Sequence, residues 1–212
     1  MCSGRIDLEF ILRAFSNGQD GVFIGGCRLG ECNYVTQGNF DALGNTLLIR
    51  KIMKHIGLNP ERLNIAFMNA SDGILLAKSL NDFGKTIREL GPLGKGEGED
   101  DKGLKLKLDA IRKLVPYLRL VERERLRVPV KSEAAYNEFF ASEEMDRLFE
   151  ELVADKMAIS QIMMLLKEKP LSTGEIADSL GLNPSEVSRH INTSSMHGLV
   201  RYDMDQKCFA LA

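Results

Sequence analysis

The sequence lacks the features of a membrane or secreted protein. No apolar run in it approaches the ~20 residues that a helix needs to cross a bilayer. The opening MCSGRIDLEF has no basic stretch followed by an apolar one, so it does not resemble a secretory signal. We therefore expect a cytoplasmic protein with no membrane partner. The 212 residues are 44% hydrophobic and 27% charged, which is ordinary for a globular chain long enough for two modest domains.

Cysteine is scarce, and the expected compartment argues against disulfides. The chain has 4 cysteines, which in a reducing compartment leaves metal binding, redox chemistry or plain burial as their roles. Two of them lie in the stretch GGCRLGECNY at residues 25–34, among three glycines. This stretch is the most specific chemical feature in the first half of the chain.

Helix and strand patterns alternate over the first ninety residues. Short apolar runs at 21–26 and 63–68 are typical of buried parallel strands. Helices are predicted before, between and after these runs: one capped by Asp7, one over 39–55, and one from Ser71 or Asp72 to the Gly91-Pro92 stop. The alternation predicts an α/β domain over residues 1–92, with a short parallel sheet and flanking helices.

Two strands are too few for a stable parallel sheet, so this domain is expected to be incomplete or to be completed by a partner. The segment 1–5 is a candidate for the end of a further strand. The apolar positions of the first predicted helix are Phe10, Ile11, Ala14 and Phe15.

The rest of the chain is predicted to be mostly helical. Residues 93–103, LGKGEGEDDKG, are glycine-rich and charged and predict a linker. Residues 104–157 predict a helical connector that is broken or kinked at Pro116 and has a further helix over 138–152. The charge run over 105–131 is interpreted as a solvated helical face.

Residues 158–212 predict a winged helix-turn-helix domain. An apolar helix over 158–167 is followed by two short helices whose capping boxes begin at Ser172 and Asn183. Two short strands over 199–202 and 207–211 then flank a turn and form a hairpin. Three helices followed by a hairpin are the pattern of a winged helix.

The residues alone leave two roles open for the cysteines. A glycine-rich loop after a strand can turn Cys27 and Cys32 inward, and sites form at the carboxyl edge of parallel sheets. Cys2 is expected at the same edge, so the three thiols can converge on a metal. Equally, cysteine is often a small buried residue, as we expect for Cys208 in the hairpin. A zinc site would need four ligands, and His55 is expected at the surface.

The motifs around these cysteines fall in a specific order: Cys-Ser-Gly-Arg at 2–5, Gly-Gly-Cys at 25–27, Cys at 32, Asn-Pro-Glu-Arg-Leu at 59–63 and Gly-Pro at 91–92. Over residues 1 to about 92 the sequence resembles the delta subunit of methyl-viologen-reducing hydrogenase. That family is the small iron–sulfur subunit linking hydrogenase or formate dehydrogenase to heterodisulfide reductase. The resemblance implies a 2Fe–2S cluster and an electron relay with no catalytic site of its own. The matching thiols, which the resemblance implies to be ligands, are Cys2, Cys27 and Cys32, and the cluster loop around them contains Gly25, Gly26, Arg28 and Gly30.

This chain departs from the family pattern in two ways. The family has His-Pro after Gly-Gly-Cys, where this chain has Arg28-Leu29, and Cys-His-Tyr where it has Cys32-Asn33-Tyr34. A cation at Arg28 is expected to raise a cluster's reduction potential, because positive charge favours the reduced form. The family also begins with another strand and a cysteine-bearing segment. Part of the ligand set is therefore expected to lie upstream of Met1.

The stretch SEVSRHINTSSMHGLV at 185–200 resembles the recognition helix of winged-helix repressors of the arsenical-resistance type. The resemblance implies that five residues face DNA: Ser185, Ser188, Arg189, Asn192 and Thr193. Helical spacing places Val187, Ile191 and Leu199 in the core. Residues 158–212 hold 5 Lys and Arg against 6 Asp and Glu, which is not a basic footprint for nucleic acid. DNA contact and protein docking both stay open.

Together these features predict an accessory iron–sulfur electron-transfer subunit with a winged-helix appendage. It would link a hydrogenase or formate dehydrogenase to a heterodisulfide-reductase-type complex. The alternative is a redox-responsive winged-helix regulator that binds DNA and uses the cysteine domain as its sensor. A third possibility is a chain that holds no cluster.

Overall fold

The computed structural model describes residues 2–34, 38–98 and 100–212. Met1 and residue 99, which belong to the predicted strand end and linker, lie outside these ranges, as do residues 35–37. The elements within the described ranges are, in chain order, α1 (Leu8–Ser16), β1 (Val22–Gly26), α2 (Asn39–His55), β2 (Leu63–Phe67), α3 (Gly73–Leu90), α4 (Asp101–Lys113), α5 (Val115–Glu124), α6 (Glu133–Phe140), α7 (Glu143–Phe149), α8 (Asp155–Glu168), α9 (Thr173–Leu180), α10 (Pro184–Met196), β3 (Val200–Asp203) and β4 (Cys208–Leu211).

The first part of the chain is an α/β unit, as predicted. Strands β1 and β2 pair in parallel, in register from Val22 opposite Leu63 to Gly26 opposite Phe67, and α2 connects them. Among the described residues this sheet has two strands. Residues 3–5 form a 3₁₀ turn rather than the predicted strand end, because Arg5 N–H donates to Cys2 O at 3.1 Å and closes the turn.

One hydrophobic core runs through the α/β unit and the helices that follow residue 100. Helix α1 is capped by Asp7, as predicted, and buries Leu8, Ile11, Leu12 and Phe15, whereas the apolar Phe10 is 54% exposed. Ile49 and Ile52 of α2 and Ile111 and Leu118 of α4 and α5 join the same core. The helical segment therefore packs directly on the α/β unit.

The helical segment is more broken than the sequence indicates. The break near Pro116 is confirmed, with α4 ending at Lys113 and α5 beginning at Val115. The single helix predicted over 138–152 is wrong. It is interrupted after Phe140, because the Ser142 hydroxyl accepts a hydrogen bond from Met145 N–H at 3.2 Å and starts a new helix.

Helix α7, a π-helical turn over Glu150–Ala154 and α8 follow one another without a break in helical backbone. The first core includes Met157 of α8, and a second core includes Ile162 and Leu166 of the same helix. This second core belongs to the winged helix, where it is completed by α9, α10 and β3. The predicted winged helix is confirmed, with capping boxes at Ser172 and Asn183 and a β3–β4 hairpin.

Helix α3 lies on the outer side of the sheet and has no buried residue along its 18 residues. Its second half touches β1, where the Phe83 and Phe23 ring centroids are 5.7 Å apart. Its first half is exposed, with Ile74 at 90% and Leu80 at 45%. The amphipathic pattern correctly predicts the helix but not its burial. No helix in the described ranges is long and apolar enough to cross a membrane.

Arg62 ties the glycine-rich segment after α3 to the first core. Its guanidinium is fully buried and donates to the carbonyls of Asp20 and Gly91 at 3.0 and 2.9 Å and to Glu97 Oε2 at 3.0 Å. Burial raises the pKa of Glu97, but hydrogen bonds from Arg62 and from the N–H groups of Asn59 and Gly94 outweigh it and lower the pKa overall. The segment before residue 99 is thus anchored, although a domain boundary at 93–103 remains a prediction.

We expect Arg62→Met to lower the free energy of unfolding by about 3–5 kcal/mol, because it leaves the Glu97 carboxylate without its buried partner. The measurement is urea denaturation followed by circular dichroism. Lys85→Met is the matched control, since Lys85 is 67% exposed at 3.9 Å from Asp82 and its loss should cost under about 0.5 kcal/mol. Equal losses in the two variants would contradict the anchoring role.

Candidate metal centre

Cys2, Cys27 and Cys32 meet beyond the carboxyl end of β1. Cys27 directly follows the strand, Cys2 precedes the 3₁₀ turn, and Cys32 lies near the end of the loop. The Cys2 and Cys32 Sγ atoms are 3.7 Å apart. Burial, a hydrogen bond with Cys32 and the charges of Cys32 and Cys2 raise the pKa of the Cys27 thiol. The structure therefore places the Cys2 and Cys32 thiols in contact and the Cys27 thiol close enough for both to affect its pKa.

Backbone N–H groups point at two of the three sulfur atoms. Gly4 N–H donates to Cys2 Sγ at 3.4 Å. The N–H groups of Tyr34 and Asn39 donate to Cys32 Sγ and lower the pKa of its thiol. Asn39 is the first residue of α2, so this sulfur also lies at the positive end of that helix's dipole. At Cys32 the local field thus favours the thiolate, which is the form that binds metal.

Asn39 is a site residue that the sequence interpretation missed. Its side chain is 1% exposed, and Nδ2 donates to the carbonyls of Cys27 and Arg28 at 2.9 and 2.7 Å. The same nitrogen lies 3.6 Å from Cys27 Sγ. The only sequence clue to this contact is position, since Asn39 opens the helix that follows the cysteine loop.

Glycines permit chain segments to approach one another closely around the thiols, but only some of these glycines are the predicted loop glycines. A Cβ on Gly38 would lie 2.6 Å from Cys32 Sγ, and one on Gly4 would collide with the backbone of Gly38. Of the predicted loop glycines, Gly26 is close to Ser3 Oγ and Phe67, whereas a Cβ on Gly25 would meet open space. Gly30 has φ +84°, so glycine is required there by the turn.

The residues present fit a metal–sulfur group in part. Two thiolates on one tetrahedral ion, with metal–sulfur bonds near 2.3 Å, are separated by about 3.8 Å, close to the Cys2–Cys32 spacing. The buried Ser3 Oγ beside Cys2 has no hydrogen-bond partner among the residues that the structure describes. Within the described ranges, however, no three His, Cys, Asp or Glu side chains are already arranged to hold one ion. The spacing of Cys2 and Cys32 therefore fits two ligands of one ion as it stands, whereas Cys27 would have to move to become the third.

Arg28, predicted to place a cation beside the thiols, is paired. Its Nη2 atom lies 2.7 Å from Asp72 Oδ2, and the Arg28 side chain is 49% exposed. Asp72 also accepts a hydrogen bond from Asn69 N–H at 2.9 Å, and these two donors lower the pKa of its carboxyl. The loop therefore presents an ion pair near the thiols rather than a free cation.

The remaining predicted non-ligands lie away from this group. Cys208 is buried in β4 of the winged helix, as expected for a packed residue. His55 is exposed at the end of α2, with its ring against that of Phe149 at 5.5 Å. Neither contributes to the thiol group.

The winged helix presents a polar, weakly charged recognition helix. Of the five predicted contact residues, Ser185, Ser188 and Asn192 are exposed without an ion-pair partner. Arg189 is exposed but binds Asp155 through Nη2–Oδ1 at 2.9 Å and Nη1–Oδ2 at 3.4 Å. Thr193 is exposed and its hydroxyl donates to Arg189 O at 3.0 Å, the carbonyl one turn earlier in the helix.

The structure also places the residues of this region that face inward or follow the helix. His190, which the sequence left undecided, is buried with Nε2 3.8 Å from Asp155 Oδ1, and burial lowers its pKa. Leu199 was predicted to lie in the core, but its side chain is 49% exposed because it follows the turn at Gly198. Val187 and Ile191 are in the core as predicted.

Comparison with known families gives a match for each half of the chain. The family described as methyl-viologen-reducing hydrogenase, delta subunit, matches residues 1–91. The family described as bacterial regulatory protein, arsR family, matches residues 160–202. The two matches cover the thiol group and the winged helix respectively.

Several curated proteins are similar to the first part of the chain. The iron-sulfur subunit of the F420-non-reducing hydrogenase of Archaeoglobus profundus is 44% identical over 91 residues, which are 43% of this chain and 66% of that protein. The iron-sulfur subunit of the vhu F420-non-reducing hydrogenase of Methanopyrus kandleri is 33% identical over 92 residues, which are 43% of this chain and 69% of that protein.

A much longer protein contains the same module. One subunit of the ferredoxin:CoB-CoM heterodisulfide reductase of Methanosarcina mazei is 43% identical over 94 residues, which are 44% of this chain but 12% of that protein. The chain thus spans about two thirds of the hydrogenase subunits that it matches but only a small part of the reductase protein. Through residues 1–91, this chain belongs to the family of the delta subunit of methyl-viologen-reducing hydrogenase.

Proposed function

We propose that this protein is an accessory electron-transfer subunit in which Cys2, Cys27 and Cys32 ligate a 2Fe–2S cluster. The observation that carries the proposal is the convergence of these thiols, with Cys2 and Cys32 Sγ atoms 3.7 Å apart. Family membership supports it, since the relatives in Archaeoglobus profundus and Methanopyrus kandleri are named iron-sulfur subunits. A zinc ion would use the same thiolates, so the metal itself must be identified by experiment.

A bound cluster would supply a one-electron relay, and the protein's own residues would set its surroundings. The N–H groups of Gly4, Tyr34 and Asn39 stabilise negative charge on the sulfur atoms. Gly38 allows the start of α2 to approach Cys32 closely. The proposal assigns these residues binding and electrostatic roles and no catalytic step.

The relatives also support a proposal about partners. The same module of about 90 residues forms most of a hydrogenase subunit in one relative and is part of a much longer heterodisulfide reductase protein in another. Modules that are fused in one protein and separate in another commonly need to lie together. We therefore propose that this chain passes electrons between a hydrogenase-like or formate-dehydrogenase-like donor and a heterodisulfide-reductase-like acceptor.

Anaerobic reconstitution with iron and sulfide should give a chain that retains iron and absorbs visible light. Cys2→Ala, Cys27→Ala and Cys32→Ala should each reduce retained iron severely, because each removes a proposed ligand. Cys208→Ala is the matched control, since this cysteine is buried in the hairpin, and it should retain the cluster. Iron and acid-labile sulfide are quantified per chain, and electron paramagnetic resonance identifies the cluster type.

A wild-type chain that retains no iron under these conditions would defeat the proposal. Equal iron loss in Cys208→Ala would also count against it, because the loss would then reflect general thiol chemistry.

The Arg28–Asp72 ion pair gives a second prediction, on the reduction potential. Arg28→His at pH 8 should lower the potential, because it leaves the Asp72 carboxylate unpaired beside the loop. Asp72→Asn should raise it by freeing the Arg28 cation. Each variant changes the charge beside the loop by one at a partly exposed position, where an interaction with another charge is worth about 0.2–1 kcal/mol, so each shift should be roughly 10–40 mV for a one-electron couple. Shifts of the same sign in both variants would contradict this account.

DNA binding by the winged helix is the second candidate function. It is favoured by the arsR-family match over residues 160–202 and by the exposed polar groups of Ser185, Ser188 and Asn192 on α10. The Arg189–Asp155 ion pair argues against DNA binding, because a guanidinium that is bound to a carboxylate is not free to contact a phosphate or a guanine. If the cysteine group acts as a sensor, the chain would be a redox-responsive regulator.

If α10 binds DNA, Arg189→Ala should weaken binding about tenfold, since a single Arg contact is worth about 1–3 kcal/mol. Asp155→Asn should strengthen it about three- to tenfold by releasing Arg189. Asp178→Asn makes the same charge change on the exposed face of α9 and is the control for a general charge effect. Affinity is measured by fluorescence anisotropy over a salt series, and equal gains from Asp155→Asn and Asp178→Asn would exclude release of Arg189.

A further inference from the structure

Asn39 is the polar side chain most deeply enclosed beside the thiol group. It is 1% exposed, and burying an amide is costly unless its hydrogens are bonded. Both hydrogens of Nδ2 have carbonyl acceptors, Cys27 O at 2.9 Å and Arg28 O at 2.7 Å. The side chain therefore links the start of α2 to the first peptide of the cysteine loop through two hydrogen bonds.

The direction of these hydrogen bonds shows that the Asn39 side chain does not act as a helix cap. A capping side chain accepts hydrogen bonds from the free N–H groups of its own helix. Asn39 instead donates away from α2, toward the loop, and the preceding Gly38 makes no side-chain cap. Helix formation alone does not account for an asparagine at this position.

The same residue reaches two of the three sulfur atoms. Its side-chain nitrogen lies 3.6 Å from Cys27 Sγ, and its backbone N–H donates to Cys32 Sγ. Hydrogen-bond donors to cluster sulfurs favour the more negatively charged, reduced form and so raise the potential. The Asn39 side chain can thus fix the position of Cys27 and, through its amide nitrogen 3.6 Å away, stabilise charge on that sulfur, whereas the contact with Cys32 belongs to the backbone.

We propose that Asn39 is a positioning residue of the metal centre, which holds Cys27 in place through its backbone and raises the reduction potential of the bound cluster. This inference rests on the proposed function for the cluster. Its claim about loop position concerns the protein without metal and is tested separately.

The test compares Asn39→Ala and Asn39→Asp with the control Asn45→Ala in the full-length protein. Asn45 lies on the same helix and its amide also donates to a carbonyl, Ile6 O at 3.0 Å, but that carbonyl lies outside the cysteine loop. Potentials of the reconstituted proteins are measured by spectroscopic redox titration. Asn39→Ala should shift the potential to more negative values, and Asn39→Asp further, because a carboxylate donates no hydrogen bond and adds negative charge. Asn45→Ala should leave it unchanged.

A second measurement keeps the inference falsifiable if Asn39→Asp does not fold or no cluster forms. Hydrogen exchange of the metal-free proteins is followed over the loop at residues 27–32. Exchange there should be faster in Asn39→Ala than in the wild type and unchanged in Asn45→Ala. Both variants should keep the helix content of the wild type by circular dichroism.

The outcomes separate this inference from the proposed function. A wild-type cluster whose potential is the same in Asn39→Ala overturns the charge-stabilising role and leaves the electron-transfer proposal intact. A wild-type chain without a cluster defeats the proposed function, and loop exchange then decides whether Asn39 holds Cys27. Unchanged loop exchange in Asn39→Ala overturns the positioning role.

Discussion

The contact between the amino end of α2 and the carboxyl end of β1 is the constraint on which the candidate site depends. It requires glycine at 38, because any side chain there would occupy the space of Cys32 Sγ. It places the N–H and amide groups of Asn39 against the cysteine loop. The groups that contact the thiols are therefore N–H hydrogen-bond donors rather than carboxylates, and that environment suits a negatively charged metal–sulfur group.

The α/β unit that carries the three cysteines and the helices that follow residue 100 are joined by charge as well as by apolar packing. Asp7, which caps α1 shortly after Cys2, binds Arg119 of α5 at 2.7 and 2.8 Å, and Glu9 binds Arg112 of α4 at 2.9 Å. The charge run over 105–131 was interpreted as a solvated face, and these two arginines show that part of it instead binds α1. The 3₁₀ turn carrying Cys2 thus leads into a helix that the following segment holds in place.

The sequence allowed the local features of both halves to be predicted, but not their long-range contacts. The two parallel strands, the helices around them, the capping boxes and the β3–β4 hairpin follow from periodicity and motif, which act over a few residues. The role of Asn39 depends on a loop that returns to the start of α2, and that of Arg62 on carbonyls from two distant turns. The exposure of Phe10 and of the first half of α3 could not be predicted for a related reason, since an apolar stripe predicts that a helix forms but not that a partner covers it.

The winged helix cannot be considered apart from the rest of the chain, because α8 contributes to both cores. Its first residue, Asp155, follows the π-helical turn and binds Arg189, the one Lys or Arg within α10. Such turns recur at functional positions in helices, and here the turn lies where the two cores meet. The surface that α10 presents to a partner therefore depends on α8, the same helix that packs the winged helix against the first core. While Asp155 binds Arg189, the exposed groups that α10 presents are the uncharged hydrogen-bonding side chains of Ser185, Ser188 and Asn192. Such a surface suits a polar protein surface at least as well as a phosphate backbone.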